Sequence, residues 1–394
     1  MVKINEHGTT PTIQIRSGTY IKQPSGYRAF CPKPLPPNPP VKIGSEMQAM
    51  LSQADRALGR LDGSIQTLPH PDLFVFMYVR KEAVLSSQIE GTQSSLQDVL
   101  AAEARILSPD TPKDVDEVVN YVRSINYGIK RLPDLPICVR LIREIHAELL
   151  KGVRGSHLTP GELRTSQNWI GPAGCLLNEA TFIPPPPHEL GQHLGDFEKF
   201  LHDASPIPAL IRIGLAHAQF ETIHPFLDGN GRIGRLLITL LLCEQGILLK
   251  PVLYLSYYFK RNRQEYYDLL QSIRERGTWE NWLLFFLRGV IEVSKQATDT
   301  ARRILLLRED HRTAITDKFG RTAGNGHRLL EYLYDHPIVS VNEVEQLTST
   351  TFQAANGLVN KFVTNGILSE ITGQTRNRRF LYRDYIHLFN DEAK

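Results

Sequence analysis

Within twelve residues, the run His224-Pro225-Phe226-Leu227-Asp228-Gly229-Asn230-Gly231-Arg232-Ile233-Gly234-Arg235 holds a potential base, a carboxylate, closely spaced glycines and two guanidinium groups. The apolar stretch Leu236 to Leu242 follows and reads as a buried helix. The polar run therefore falls at a helix N-terminus, where unpaired backbone N–H groups and the helix dipole favour an anion. Gly229 and Gly231 bracket Asn230, so the backbone can bend into a nest for phosphate oxygens, and Asn230 adds an amide donor. Arg232 and Arg235 are three apart and share a helical face. Cations in a first helical turn oppose the dipole, which points to a bound anion onto which both side chains fork. Asp228 is a hard oxygen ligand of the kind Mg²⁺ takes beside phosphate oxygens. His224 can remove a proton from an attacking hydroxyl near neutral pH. Together these residues suit displacement at a nucleotide phosphate. Asp-Gly-Asn-Gly alone also fits a plain turn. The Walker pattern Gly-x-x-x-x-Gly-Lys-Ser/Thr is absent.

Three further segments must position this run or complement it. Ser86-Ser87-Gln88-Ile89-Glu90-Gly91 ends an apolar-periodic region, Ser86 and Glu90 share a helical face, and Gly91 reads as a C-cap or break. Taken alone it is a polar helix end. Arg164 to Pro172 and Thr181-Phe182-Ile183, followed by Pro184 to Pro187, read as a hairpin ended by a stiff polyproline piece. Tyr254 to Tyr258 and Arg263 to Leu270 are aromatic-rich and read as packed helices; Trp279, Trp282, Phe285 and Phe286 read as core.

The pattern His-Pro-Phe-x-Asp-Gly-Asn-Gly-Arg-x-x-Arg resembles the signature of the Fic (filamentation induced by cAMP) family at every fixed position. The resemblance implies transfer of AMP from ATP to a Ser, Thr or Tyr hydroxyl of a target protein. It makes His224 the general base and Asp228 the Mg²⁺ ligand. It puts the ATP on Gly229, Asn230, Gly231, Arg232, Ile233, Gly234 and Arg235, with Ile170 and Gly171 from the hairpin and Tyr266 near the adenine. The related Doc kinases carry Lys and lack the second glycine, so Gly231 favours the adenylylating orientation. Ser86 to Gly91 resembles the family's inhibitory helix. By that likeness Ser86 and Glu90 are regulatory, and Glu90 pairs with Arg235 to block the γ-phosphate. The hairpin is similar to the flap that holds the target's backbone by strand addition, lengthened here by Gly171 to Asn178. Two alternatives stay open. One is a hydrolase that removes AMP through the same site. The other is a DNA-binding regulator whose Fic-like core senses nucleotide.

The fold these readings imply is mainly α: a Fic-type helical core with a β-hairpin flap, plus a C-terminal winged helix–turn–helix-like α+β domain. The expected divisions are an extended Pro-rich arm over 1–42, a helical region with the inhibitory helix over 43–136, the core over 137–293, a connecting helix over 294–323, and the winged-helix-like domain over 324–394. Ser108 to Pro112 reads as a break between N-terminal helices. At the C-terminal end, helices over 328–334, 341–347 and 351–365 precede strands over 367–371 and 379–382. The third helix, the would-be recognition helix, carries Gln353, Asn356, Asn360 and Lys361, and Arg376, Arg378, Arg379 and Arg383 make a basic wing. Nearby acidic residues leave that domain near neutral, so DNA is a less favoured partner than protein.

With 394 residues, 41% hydrophobic and 22% charged, the composition is that of an ordinary globular protein of two or three domains. A net charge of +3 is too small to argue for nucleic acid. Apolar runs fall short of the roughly 18 residues of a membrane span. Scattered cysteines without metal spacing, and an N-terminus without a signal-peptide core, suit a cytoplasmic protein with reduced thiols. The N-terminal arm and helices could build a homodimer.

Overall fold

The computed structural model describes residues 16–68, 71–103, 112–172, 174–204 and 206–390. The break expected at 108–111 lies outside the described residues. In chain order the elements are strands β1 (Gly18–Lys22) and β2 (Arg28–Pro32), then helices α1 (Ser45–Gln66), α2 (Pro71–Ile89), α3 (Leu96–Glu103), α4 (Val115–Arg131), α5 (Val139–Leu149), α6 (Leu190–His202), α7 (Ala209–Ile223) and α8 (Asn230–Glu244). Next come α9 (Ser256–Arg261), α10 (Arg263–Arg276), α11 (Trp279–Lys318) and α12 (Ala323–Asp335). The chain continues through β3 (Ile338–Ser340), α13 (Val341–Thr348), α14 (Phe352–Thr364), β4 (Ser369–Glu370), β5 (Arg379–Leu381) and α15 (Arg383–Asn390). No helix among the described residues is long and apolar enough to cross a membrane.

Two compact units interleave along the sequence instead of following one another as the linear reading expects. The first takes the chain up to Ser52, Arg123–Gln245 and Arg261–Gly289; the second takes Gln53–Val122, Gly246–Lys260 and the chain from Val290 onward.

The first unit is built around α7, whose residues Leu210 to Ile223 are all buried. Each of its Leu, Ile and Phe side chains contributes about 1.5–3 kcal/mol through burial. The start of α11 packs on α7, where Trp282 donates its indole N–H to Gly214 O at 2.8 Å. The Glu198 carboxylate accepts the Val139 N–H at 2.6 Å and caps α5. From Gly18 onward the arm is more regular than the sequence suggests. Residues 18–32 pair as an antiparallel hairpin, Tyr20 opposite Phe30, because Ala29, Phe30 and Cys31 form an apolar run that is buried. Phe30 N also donates to Ile183 O at 2.9 Å, tying the hairpin to the segment before the proline run.

Among the described residues the expected flap hairpin is reduced to one antiparallel bridge, Ile170 with Phe182, hydrogen-bonded both ways at 2.8 and 3.0 Å. The insert folds on itself instead of extending two strands. Trp169 Nε1 donates to Cys175 O at 3.1 Å, and Glu179 accepts the Leu176 N–H at 3.0 Å around a 3-10 turn, Leu177–Glu179. Pro172 also withholds a donor from any ladder there.

In the second unit, α2 carries a buried polar centre. Glu82 accepts from Ser256 N at 3.1 Å, from Ser256 Oγ and from Tyr121 OH at 3.3 Å. The elements from α12 to α15 surround a three-stranded antiparallel sheet of order β3-β5-β4. Ser340 and Glu343 form a capping box at the start of α13, and Thr351 caps α14. The three helices and two strands expected here are present, with α12 beginning at Ala323. Strand β3 and helix α15 were not anticipated, and Arg383 opens α15 instead of belonging to the wing. Ile338 and Val339 pair with β5 over only three residues, too short a run to stand out in sequence. The connecting helix begins before its expected start and ends before its expected end, since α11 is continuous from Trp279 to Lys318.

Candidate active site

The polar run turns the chain from the end of α7 to the start of α8. His224 caps α7 in the left-handed region (φ 49°, ψ 60°), donating its backbone N–H to Phe220 O at 3.0 Å. Left-handed geometry costs a non-glycine residue about 1–2 kcal/mol, so something must hold it. Arg164 Nε and Asn168 Nδ2 both donate to His224 O, at 2.9 and 3.3 Å. Arg164 N also donates to Pro225 O at 3.0 Å, its Nη2 to Pro185 O at 2.6 Å, and Asn168 Nδ2 to Phe226 O at 2.8 Å. Burial pushes the Arg164 guanidinium down to about 10; it stays charged at neutral pH and clamps the loop. The His224 ring is half-buried and Nδ1 lies 3.4 Å from Glu221 O. A carbonyl can only accept, so this contact favours Nδ1–H and leaves the lone pair on Nε2.

Gly229 stands at φ 79° as the N-cap of α8. Asp228 Oδ1 accepts the Gly229 N–H at 2.6 Å and lies 3.5 Å from an Arg232 Nη2. The Asp228 side chain is 34% exposed, so its carboxylate is open to one hard cation while held in place. Gly231 is helical and supplies no bend. Asn230 spends its amide on the loop itself: Oδ1 accepts from Phe226 N at 2.9 Å and Nδ2 donates to Phe226 O at 2.8 Å. The sequence reading assigns that amide to phosphate; the structure makes it a brace, because the turn leaves both Phe226 backbone groups facing it. Gly234 likewise serves packing. A Cβ there would lie 2.2 Å from Glu221 Oε1 and 3.3 Å from a Phe220 ring carbon, so its smallness sets how closely α7 and α8 meet. Gly234→Ala is expected to lower stability by about 1–3 kcal/mol through overpacking; an unchanged denaturant midpoint would contradict that role.

Ile233 is fully buried, and Arg232 and Arg235 are 1% and 2% exposed. A phosphate can reach either guanidinium only if the groups covering it yield. Ile170 is half-buried in its bridge, and Gly171 is exposed at the start of the insert. Tyr266 is 1% exposed and bonds His217 Nε2 through its hydroxyl at 2.9 Å, with its ring among His217, Trp282 and Tyr267. Its face is core in this arrangement; neighbouring Tyr267 is 38% exposed, with the Arg263 guanidinium 5.6 Å from its ring centroid. In the second unit, Ser86 is fully buried in α2, while Glu90 is exposed just past the helix end. Gly91 (φ 99°) makes the break read from the sequence, and Thr92 N returns to Ser87 O at 3.3 Å.

Two histidines unmarked in the sequence support the loop from below. His146 on α5 is fully buried and stacks on Phe226 with centroids 3.8 Å apart. Its Nδ1 accepts the Gly161 N–H at 2.8 Å, so Nε2 carries the proton and donates to Asp228 O at 3.0 Å. His217 on α7 has the opposite tautomer: Nδ1 donates to Gly234 O at 2.9 Å and Nε2 accepts from Tyr266. Burial holds His146 down to about 4 and His217 to about 3. Both are neutral when folded at neutral pH, yet they take up protons near 6.5 once unfolded. Below about pH 6.5 the unfolded chain binds more protons, so stability falls as pH drops and levels off below about 4 and 3. At pH 5 each histidine is expected to remove on the order of 2 kcal/mol. Unfolding midpoints from pH 7 to 5 measure this; no greater loss in wild type than in a His217→Gln variant would refute it.

Residues 48–130 match the family described as Fic/DOC family N-terminal, and residues 136–242 match that described as Fic/DOC family. A probable protein adenylyltransferase of Aquifex aeolicus (strain VF5) is 29% identical over 208 residues, covering 51% of this chain and 57% of its own length. Protein adenylyltransferase Fic of Aedes aegypti is 31% identical over 189 residues, covering 47% of this chain and 33% of its own length. The chain thus spans little more than half of one relative and a third of the other. A Fic family protein from Desulfovibrio desulfuricans G20 shares the fold over 87% of this chain and 97% of its own, with TM-score 0.58 and 18% identity. A Fic domain containing signaling protein from Bacteroides thetaiotaomicron covers 66% of this chain and 97% of its own, with TM-score 0.50 and 19% identity.

Proposed function

We propose that this chain, a Fic/DOC family protein and a distant homologue of protein adenylyltransferases, transfers AMP from ATP to a Ser, Thr or Tyr hydroxyl of a target protein. One observation carries the reading: a histidine held in the left-handed region at the end of α7 stands four residues before the only carboxylate of a turn that opens α8. Base, carboxylate and anion-favouring helix end are joined by one braced loop.

In this account His224 Nε2 accepts the proton of the target hydroxyl. The oxygen attacks the α-phosphorus, the bond to the bridging oxygen breaks, and pyrophosphate leaves. The N–H groups opening α8, with Arg232 and Arg235, carry the charge of the phosphates. Asp228 would hold Mg²⁺, which supplies charge neutralisation at the phosphates; its partly exposed carboxylate fits that part. Arg164, Asn168, Asn230 and His146 keep the loop in register.

Glu90 restrains the reaction by competing with the γ-phosphate for a guanidinium. The α12–α15 region is read as a winged-helix-like module for protein contact. Three of its expected DNA-facing cations are engaged internally: Lys361 donates to Phe319 O at 2.9 Å, Arg378 to Asn356 at 2.7 Å, and Arg379 lies 3.0 Å from Glu343.

ATP labelled at the α- or the γ-phosphorus tests the assignment. Label appears on protein from the α position and not from the γ position; the reverse would mean kinase chemistry and would overturn it.

A further inference from the structure

A second cluster of reactive side chains lies in the first unit, outside the loop just described. Cys31 in β2, Glu189 in the turn before α6 and His193 one helical turn later bring a thiol sulfur, a carboxylate oxygen and a ring nitrogen within 4.8 Å of one another. Cys31 is 7% exposed, and the His193 side chain 12%. His193 Nε2 and Glu189 Oε2 are 3.3 Å apart. In a tetrahedral zinc site with bonds of 2.0–2.1 Å to nitrogen and oxygen, the edge between those two ligands is also about 3.3 Å.

We propose that Cys31, Glu189 and His193 form a binding site for a zinc-like divalent cation. Thiolate and imidazole beside one carboxylate select Zn²⁺ or Co²⁺ over Mg²⁺ and Ca²⁺, which prefer all-oxygen shells. The site is therefore distinct in chemistry from the Mg²⁺ role given to Asp228. Three protein ligands leave a fourth position for water. Phe30, next to Cys31, donates its N–H to Ile183 O at 2.9 Å, and its ring lies 6.1 Å from that of Phe182. A cation here fastens the β1–β2 hairpin to the proline segment and to α6, beneath the bridge that carries Ile170. Its role is to hold the base of the flap, with no part in the transfer chemistry.

Titrating the metal-free full chain with Co²⁺ tests the site. One equivalent is expected to give a near-ultraviolet thiolate-to-cobalt band and visible tetrahedral absorption, both removed by Zn²⁺ and unaffected by excess Mg²⁺. Cys31→Ser and His193→Ala abolish the thiolate band, Cys175→Ser keeps it, and Zn²⁺ raises the unfolding temperature of wild type but not of Cys31→Ser. Far-ultraviolet circular dichroism confirms that each variant is folded. Absence of a thiolate band in wild type, or its persistence in Cys31→Ser, overturns the proposal.

Discussion

Replacing His224 by asparagine lowers AMP transfer to an acceptor protein by about 10²–10⁴-fold, the range over which a positioned general base acts. Asparagine is the better probe than alanine because residue 224 sits at φ 49°, and asparagine tolerates the left-handed region at lower cost. The contacts that hold the loop go to the backbone carbonyl of residue 224, from Arg164 and Asn168, so the substitution leaves them in place. The unfolding midpoint of His224→Asn should therefore stay close to that of wild type while labelling from α-labelled ATP collapses. Labelling within a few-fold of wild type would remove the histidine from the chemistry.

Glu90→Gly has the opposite sign. If the carboxylate competes with a phosphate for one guanidinium, its loss removes a charge-assisted interaction of about 1.5–3 kcal/mol, which corresponds to roughly a ten- to hundredfold rise in transfer rate. Glu90 is exposed and follows the last residue of α2, so the change falls outside the regular helix and should leave it intact. A rate unchanged or lowered by the substitution would instead assign Glu90 no restraining part. The double variant Glu90→Gly with His224→Asn should be as inactive as His224→Asn alone, because releasing the restraint cannot replace the base.

The candidate loop was legible in sequence because its residues are contiguous. A histidine, a carboxylate and two arginines at fixed spacing before an apolar helix need no tertiary information to be placed together. The supports were not legible, because their partners are far away in the chain. His146 bonds a carbonyl 82 residues distant, and in sequence it is one more histidine on an amphipathic helix. In sequence, Arg164 and Asn168 look like strand residues of the flap. The signal against a strand was present in the polar run Arg164-Thr165-Ser166-Gln167-Asn168, which gives no apolar face to bury. Tyr266 and Tyr267 show the limit of periodicity: adjacent tyrosines on a helix look alike, and only packing against His217 and Trp282 sends one inward. Asn230 illustrates a different ambiguity. A side-chain amide in a glycine-rich turn can serve a ligand or the turn itself, and two hydrogen bonds to Phe226 decide for the turn. The β1–β2 hairpin is masked in sequence by the prolines that follow it, although Ala29-Phe30-Cys31 is an apolar run.

The central claim is that one braced loop transfers AMP to a protein hydroxyl and is held in check by Glu90. Intact-mass and peptide mass spectrometry of an acceptor lysate treated with Glu90→Gly and ATP tests it most directly. The account predicts acceptor peptides heavier by one AMP on Ser, Thr or Tyr, absent when His224→Asn is added. Peptides heavier by a phosphate, or an AMP adduct that persists in the double variant, would contradict it.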